Sequence, residues 1–184
     1  ASRTRATASQ NTARMKSHWS AAGNPANFPS LLCGPLMPEL LPESTAGRHN
    51  SAMAKTLEEH FGYLSDRIKV ERYRDALQKA VQPGHVVVDL GCGSGLLGLM
   101  ALEAGAGKVF FVEEGDIIEV ARKAVANAGF ADKAMFLRAN SFELQLPEPA
   151  DVIVCDHVGY FGFDYGILAL LGDAQERFLK PGGI

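Results

Sequence analysis

The chain has 184 residues, a formal net charge of −3, and 47% hydrophobic against 21% charged residues. That is enough chain for one domain with a real core, in the balance of an ordinary globular protein rather than a disordered one. The slight acidity excludes a globally basic nucleic-acid binder. No apolar run approaches the roughly 18–20 residues needed to span a bilayer. Cys33, Cys92 and Cys155 are spaced for neither a zinc site nor a disulfide framework, and predict small reduced residues of a cytoplasmic protein.

Residues 1–52 are rich in Ala, Ser, Asn, Pro and Thr and carry no sustained period. They predict a disordered or non-native extension ahead of a start at Met53. The lesser alternative is an organellar transit peptide, because Arg3, Arg5, Arg14 and Lys16 precede the first acid, Glu39. Residues 53–83 predict a helical segment: Ile68, Tyr73, Ala76, Leu77 and Ala80 recur near helical spacing, giving an amphipathic helix over 66–81. Pro83-Gly84 ends it and opens the domain 84–184.

There the run His85–Val88 predicts a buried parallel strand, followed by Asp89 and by glycines at 91, 93 and 95 that predict a tight turn. Leu96–Glu103 predicts a helix whose N-terminus faces that turn. A second strand, Lys108–Val112, ends at Glu113 and Glu114. Ile117, Ile118, Val120, Ala121, Ala124, Val125 and Ala128 form the apolar face of a helix that starts near Asp116 and is capped by Gly129. Residues 134–139 and 150–155 predict two more strands, the latter ending at Asp156. A helix near 174–179 and the turn Lys180-Pro181-Gly182-Gly183 follow. Ile184 would open a fifth strand, so the chain is expected to be a fragment lacking its last strands. The fold class is α/β, a doubly wound, mostly parallel sheet with its ligand over the strand ends at Asp89, Glu113, Asn140 and Asp156.

Two ligands compete for the glycine turn. Gly93 to Gly98 also satisfies G-x-G-x-x-G, the dinucleotide pattern, which is weak alone. Asp89 separates the two. A dinucleotide lays its pyrophosphate over the turn and the helix N-terminus, where a carboxylate would repel it. S-adenosylmethionine presents an ammonium and a sulfonium, for which Asp89 is an attractive partner, directly or through water. An acid about 20 residues beyond the turn suits the ribose hydroxyls, and Glu113 comes first after the apolar run. Glu114 is expected to face solvent or to help cap the next helix.

On these motifs, residues 57–184 resemble the class I, Rossmann-type methyltransferases that use S-adenosylmethionine. The segments His60-Phe61-Gly62, Asp66-Arg67-Ile68-Lys69, Tyr73-Arg74 and Asp156-His157-Val158-Gly159-Tyr160 are similar to those of the protein arginine methyltransferases. The resemblance implies a donor site of Lys69, Asp89, Gly91, Cys92, Gly93, Gly95, Glu113, Ser141 and Phe142. Lys69 takes the place of an arginine that holds the donor's carboxylate, keeping the charge without the bidentate fork. Ser141 and Phe142 lie beside the adenine, with Phe142 where the family has an acid. It also implies two glutamates gripping the acceptor guanidinium; Asp156 stands at the first position and Tyr165, with Asp164 before it, at the second. His157 replaces a tryptophan, and the C-terminal barrel of that family is expected to be missing from this chain.

Asp156 is thus the first catalytic candidate, as cation grip or hydrogen-bond acceptor. His157 is a general-base candidate by its reference pKa, although a packed or surface histidine is the plainer alternative. Tyr160 would orient the acceptor or merely pack, and Asp164 is the weaker acid. His18, His49 and His60 form no metal set. The predicted activity is methyl transfer to a nitrogen nucleophile, protein arginine among the candidates, with a protein as partner and homodimerisation as in the resembling family. The alternatives are a degenerate donor-binding scaffold and an NAD-dependent oxidoreductase.

Overall fold

The structure, a computed structural model, describes residues 60–157 and 166–184. The leader, and with it Tyr160, Asp164 and Tyr165, lies outside the described residues. β1 (Val86–Leu90), β2 (Lys108–Glu113), β3 (Ala134–Arg138) and β4 (Val152–Val154) form one sheet in the order β3-β2-β1-β4, each adjacent pair parallel. β1 is buried at all five positions, which is why its sequence is a continuous apolar run rather than an alternation. It extends past Val88 through Asp89 and Leu90, so Asp89 stands inside the strand rather than after it.

The helices α1 (Arg67–Ala80), α2 (Leu96–Ala104), α3 (Ile118–Asn127) and α4 (Ile167–Phe178) accompany the sheet, with a helical stretch over 60–65 ahead of α1. On one face, Val86, Val88 and Leu90 of β1 and Phe110 and Val112 of β2 pack with Ala174 and Phe178 of α4. The alternate residues Val87, Val109 and Phe111 point the other way and are fully buried. There α2 lies close on the sheet: a Cβ on Gly98 would stand 2.2 Å from Cε1 of Phe111. α3 joins it, with Ala121 against Gly95. Both faces are covered, as a doubly wound sheet requires. α3 ends in a Schellman motif, Gly129 at φ 82 with its N–H on Ala126 O and the Phe130 N–H on Val125 O.

α1 matches the predicted helix, with Asp66 as N-cap accepting the Lys69 N–H at 3.0 Å. Its apolar stripe differs. Val70 and Leu77 are buried, two turns apart, whereas Ile68 is 74% exposed and Ala76 is exposed, both off the stripe that a 3.6-residue period draws through Val70. β4 is shorter than 150–155: Ala150 bridges Leu179 and the chain leaves the sheet after Val154. α4 starts earlier than 174, because Ile167, Ala174 and Phe178 form a narrow buried stripe that Gly172 obscures in the sequence. Ile184, expected to open a fifth strand, is in no strand; it lies beside β4, donating to Asp151 O and accepting from the Ile153 N–H.

The strand order reverses between β1 and β4. In open parallel sheets, ligands bind in the crevice outside the carboxyl ends at such a point.

Candidate functional site

Asp89 of β1, Glu113 of β2 and Asp156 beyond β4 bring three acids to the carboxyl ends of the sheet. Asp89 is 1% exposed, and its Oδ2 accepts the Gly98 N–H at 2.7 Å. Gly98 is in the first turn of α2, whose N-cap, Gly95, has no side chain to offer, so the strand acid caps the helix instead. Burial pushes the Asp89 carboxyl up to about 7; the Gly98 N–H opposes this, and repulsion from Glu113 and Asp156 adds to it. Mutual repulsion among three acids is relieved by a cation and worsened by an anion.

The turn between them follows from its glycines. Gly91, Gly93 and Gly95 have φ of 68, 52 and 83, a region costly for other residues. The Cys92 N–H ties the turn to Val112 O of β2 at 2.9 Å. Cys92 is buried, and burial raises its thiol, so it is a packing group rather than a nucleophile. Glu113 clasps the turn from the side: Oε2 accepts the Gly93 N–H at 3.1 Å and Oε1 accepts the Gly115 N–H at 2.8 Å. Each oxygen keeps lone-pair capacity for a hydroxyl. Glu114 is exposed, and its backbone carbonyl accepts from Arg138.

Lys69 and Asp156, assigned by sequence to donor and acceptor respectively, form one ion pair, Nζ to Oδ2 at 2.6 Å. Tyr73, one turn on from Lys69, directs its hydroxyl to Cys155 O at 3.0 Å and to Asp156 Oδ1 at 3.2 Å. Burial, then the Asp156 charge, raises the Tyr73 phenol and keeps it a donor. Burial also raises the Cys155 thiol, to about 11. His157 is exposed, with its backbone N–H on Cys155 Sγ at 3.4 Å.

Ser141 and Phe142 sit in the turn after β3, Ser141 half-buried and Phe142 exposed, its N–H on Asn140 Oδ1 at 3.0 Å. Three residues of this region were given no role in the site by the sequence, although His60 and Tyr73 lie in segments that carry the family resemblance. His60 presses its ring on the glycine turn, since a Cβ on Gly93 would stand 2.4 Å from its Cε1; nothing local signals that contact. Tyr73 is signalled by its family-like segment and by its four-residue spacing from Lys69, and Arg177, which holds the turn after β3, only by its four-residue spacing from Asp173.

The family model for ribosomal protein L11 methyltransferase (PrmA) matches residues 74–184. The chain belongs to this methyltransferase family. Among class I methyltransferases of this kind it is similar to the arginine-modifying ones. It is 35% identical over 127 residues to the probable protein arginine N-methyltransferase 6 of Arabidopsis thaliana, covering 68% of this chain and 29% of that protein. It is 37% identical over 129 residues to the ribosomal protein arginine N-methyltransferase rmt3 of Schizosaccharomyces pombe, covering 68% of this chain and 24% of that one. The solved Trypanosoma brucei PRMT1 enzyme-prozyme heterotetrameric complex with AdoHcy matches at TM-score 0.65 and 32% identity, over 67% of this chain and 40% of that chain. This methyltransferase chain therefore spans about a quarter to a third of the length of these curated relatives. The α/β fold and the kinship predicted from the glycine turn both hold.

Proposed function

We propose that this chain forms the donor-binding part of an S-adenosylmethionine-dependent methyltransferase whose acceptor is a nitrogen nucleophile, protein arginine above all. The observation that carries this is the glycine turn framed by Asp89, Glu113 and Asp156. Asp156 is offset by Lys69, which leaves Asp89 and Glu113 to repel a pyrophosphate and to draw in an ammonium and a sulfonium. The residues present fit such a donor. Gly91 has open space where a Cβ would stand, so a ligand can approach the backbone. Gly93, Gly95 and the buried Cys92 hold the turn in shape, with His60 over Gly93. In this reading Glu113 would accept the ribose hydroxyls, Lys69 would pair with the donor's carboxylate, and Ser141 and Phe142 would flank the base. Asp89 works through the helix it caps and through its charge.

When bound, the donor supplies an electrophilic methyl on a sulfonium. The protein's task is to align the attacking nitrogen with the methyl–sulfur axis and to take up a proton. Asp156 is the group to orient a cationic acceptor, Tyr73 holds that carboxylate, and His157 follows as the proton acceptor. Tyr160 and Asp164 would complete the acceptor loop. A protein acceptor is supported by the names of the curated relatives. Homodimerisation and a cytoplasmic location belong to the same proposal, the latter supported by cysteines spaced for no disulfide framework.

A non-catalytic donor-binding module is a second reading, favoured by one observation: Lys69 already holds the acid meant for the acceptor. Transfer of labelled methyl from S-adenosylmethionine to an arginine-containing peptide, against the same peptide with lysines, separates the two. Label in arginine alone, lost in Asp156→Ala, supports the enzyme. Donor binding with no label in either peptide supports the module.

A further inference from the structure

The segment 139–149 that leads from β3 to β4 contains neither helix nor strand, and its own backbone bonds are two turn contacts, Glu143 N–H to Asn140 O and Leu144 N–H to Ser141 O. Leu144 and Leu146 anchor it on the core face beside Phe178. The polar partner is Arg177, near the C-terminal end of α4. Asp173, one turn earlier, fixes the guanidinium as a fork, with Nε on Oδ1 at 2.8 Å and Nη2 on Oδ2. The rest of the fork faces the turn: Nη2 donates to Ser141 O at 2.6 Å and Nη1 to Leu144 O. The guanidinium lies 4.6 Å from the centroid of the Phe178 ring, and that ring is in the core. A surface pair such as Asp173–Arg177 contributes little on its own. Here it orients two donors onto the backbone of one turn, something a lysine cannot reproduce because it lacks the planar fork.

We infer that Arg177 is a positioning residue for the base end of the donor site: it fixes the backbone that carries Ser141 and Phe142. This rests on the donor reading proposed above. Arg177 touches no reacting atom in this account. It acts by holding two carbonyls, so its effect is confined to the part of the ligand that the turn faces.

The test is titration of the full chain with two ligands, S-adenosylhomocysteine and S-ribosylhomocysteine, which is the same molecule without its base. Arg177→Met is expected to weaken S-adenosylhomocysteine about tenfold, the order expected for loss of a charge-assisted contact, and to leave S-ribosylhomocysteine unchanged. Asp173→Asn, which loosens the fork but keeps the cation, is expected to give the same selective loss to a smaller extent. Amide hydrogen exchange over residues 141–144 should quicken in both variants. Equal weakening of the two ligands, or unchanged S-adenosylhomocysteine affinity in Arg177→Met, overturns the role of Arg177. Failure of the wild type to bind S-adenosylhomocysteine overturns the donor reading itself, and the base-positioning role with it.

Discussion

Asp89 is a fully buried acid placed between a helix that wants its charge and two acids that do not. Burial pushes its carboxyl up to about 7 in the fold, against about 4 in an unfolded chain. Between those values the folded state holds the proton more tightly. This group's contribution to stability is therefore best at the acid end of the window and declines as pH rises through it. Asp89→Asn removes the titration and keeps an oxygen for the Gly98 N–H. Urea unfolding at about pH 5 and about pH 8 should show wild type losing stability relative to Asp89→Asn as pH rises. Parallel curves for the two proteins would contradict the buried, repelled carboxylate. A cationic ligand favours the ionised form, so donor affinity should climb through neutral pH in wild type and not in Asp89→Asn. Glu113 makes a separate prediction. Glu113→Ala releases the Gly93 and Gly115 N–H groups and removes the acceptor proposed for the ribose, so donor affinity should fall at least about a hundredfold by calorimetry.

At the scale of elements, two opposed effects meet at Gly98 in α2. Alanine is the better helix former by about 1 kcal/mol. Against that, its Cβ would stand 2.2 Å from the Phe111 ring, which is buried and stacked on Phe136 at 4.7 Å. Overpacking of this kind costs about 1–3 kcal/mol and wins. Gly98→Ala should lower the melting temperature; a rise would mean that α2 does not lie this close to the sheet. Gly93→Ala makes a contrasting prediction. Its Cβ would displace His60, a half-buried ring on the helical turn over 60–65, so donor binding should suffer more than the melting temperature. These elements also mark what the sequence makes legible. β1, the glycine turn and β2 follow from local pattern, because a buried parallel strand is a continuous apolar run and a left-handed turn needs glycine. The Lys69–Asp156 pair joins residues 87 apart in the chain, and the Arg177 clamp and the His60 contact likewise depend on where helices land. No local period encodes those meetings. The short β4 and the early start of α4 escaped for a related reason: both are decided by packing against Leu179 and the core rather than by propensity.

At the scale of the molecule, the function rests on topology. Running β1, β2 and β3 outward and returning to place β4 on the other side of β1 opens a crevice at one end of the sheet. The chain places its acids at that end and its glycine turn between them. The sheet supplies the crevice, and the acids at its rim supply the charge that the proposed donor's cations would meet. Calorimetric titration of S-adenosylhomocysteine into the protein, with NAD as the control, tests this most directly. Saturable S-adenosylhomocysteine binding, absent with NAD and lost in Glu113→Ala, is the predicted result; NAD binding of equal or greater strength would contradict it.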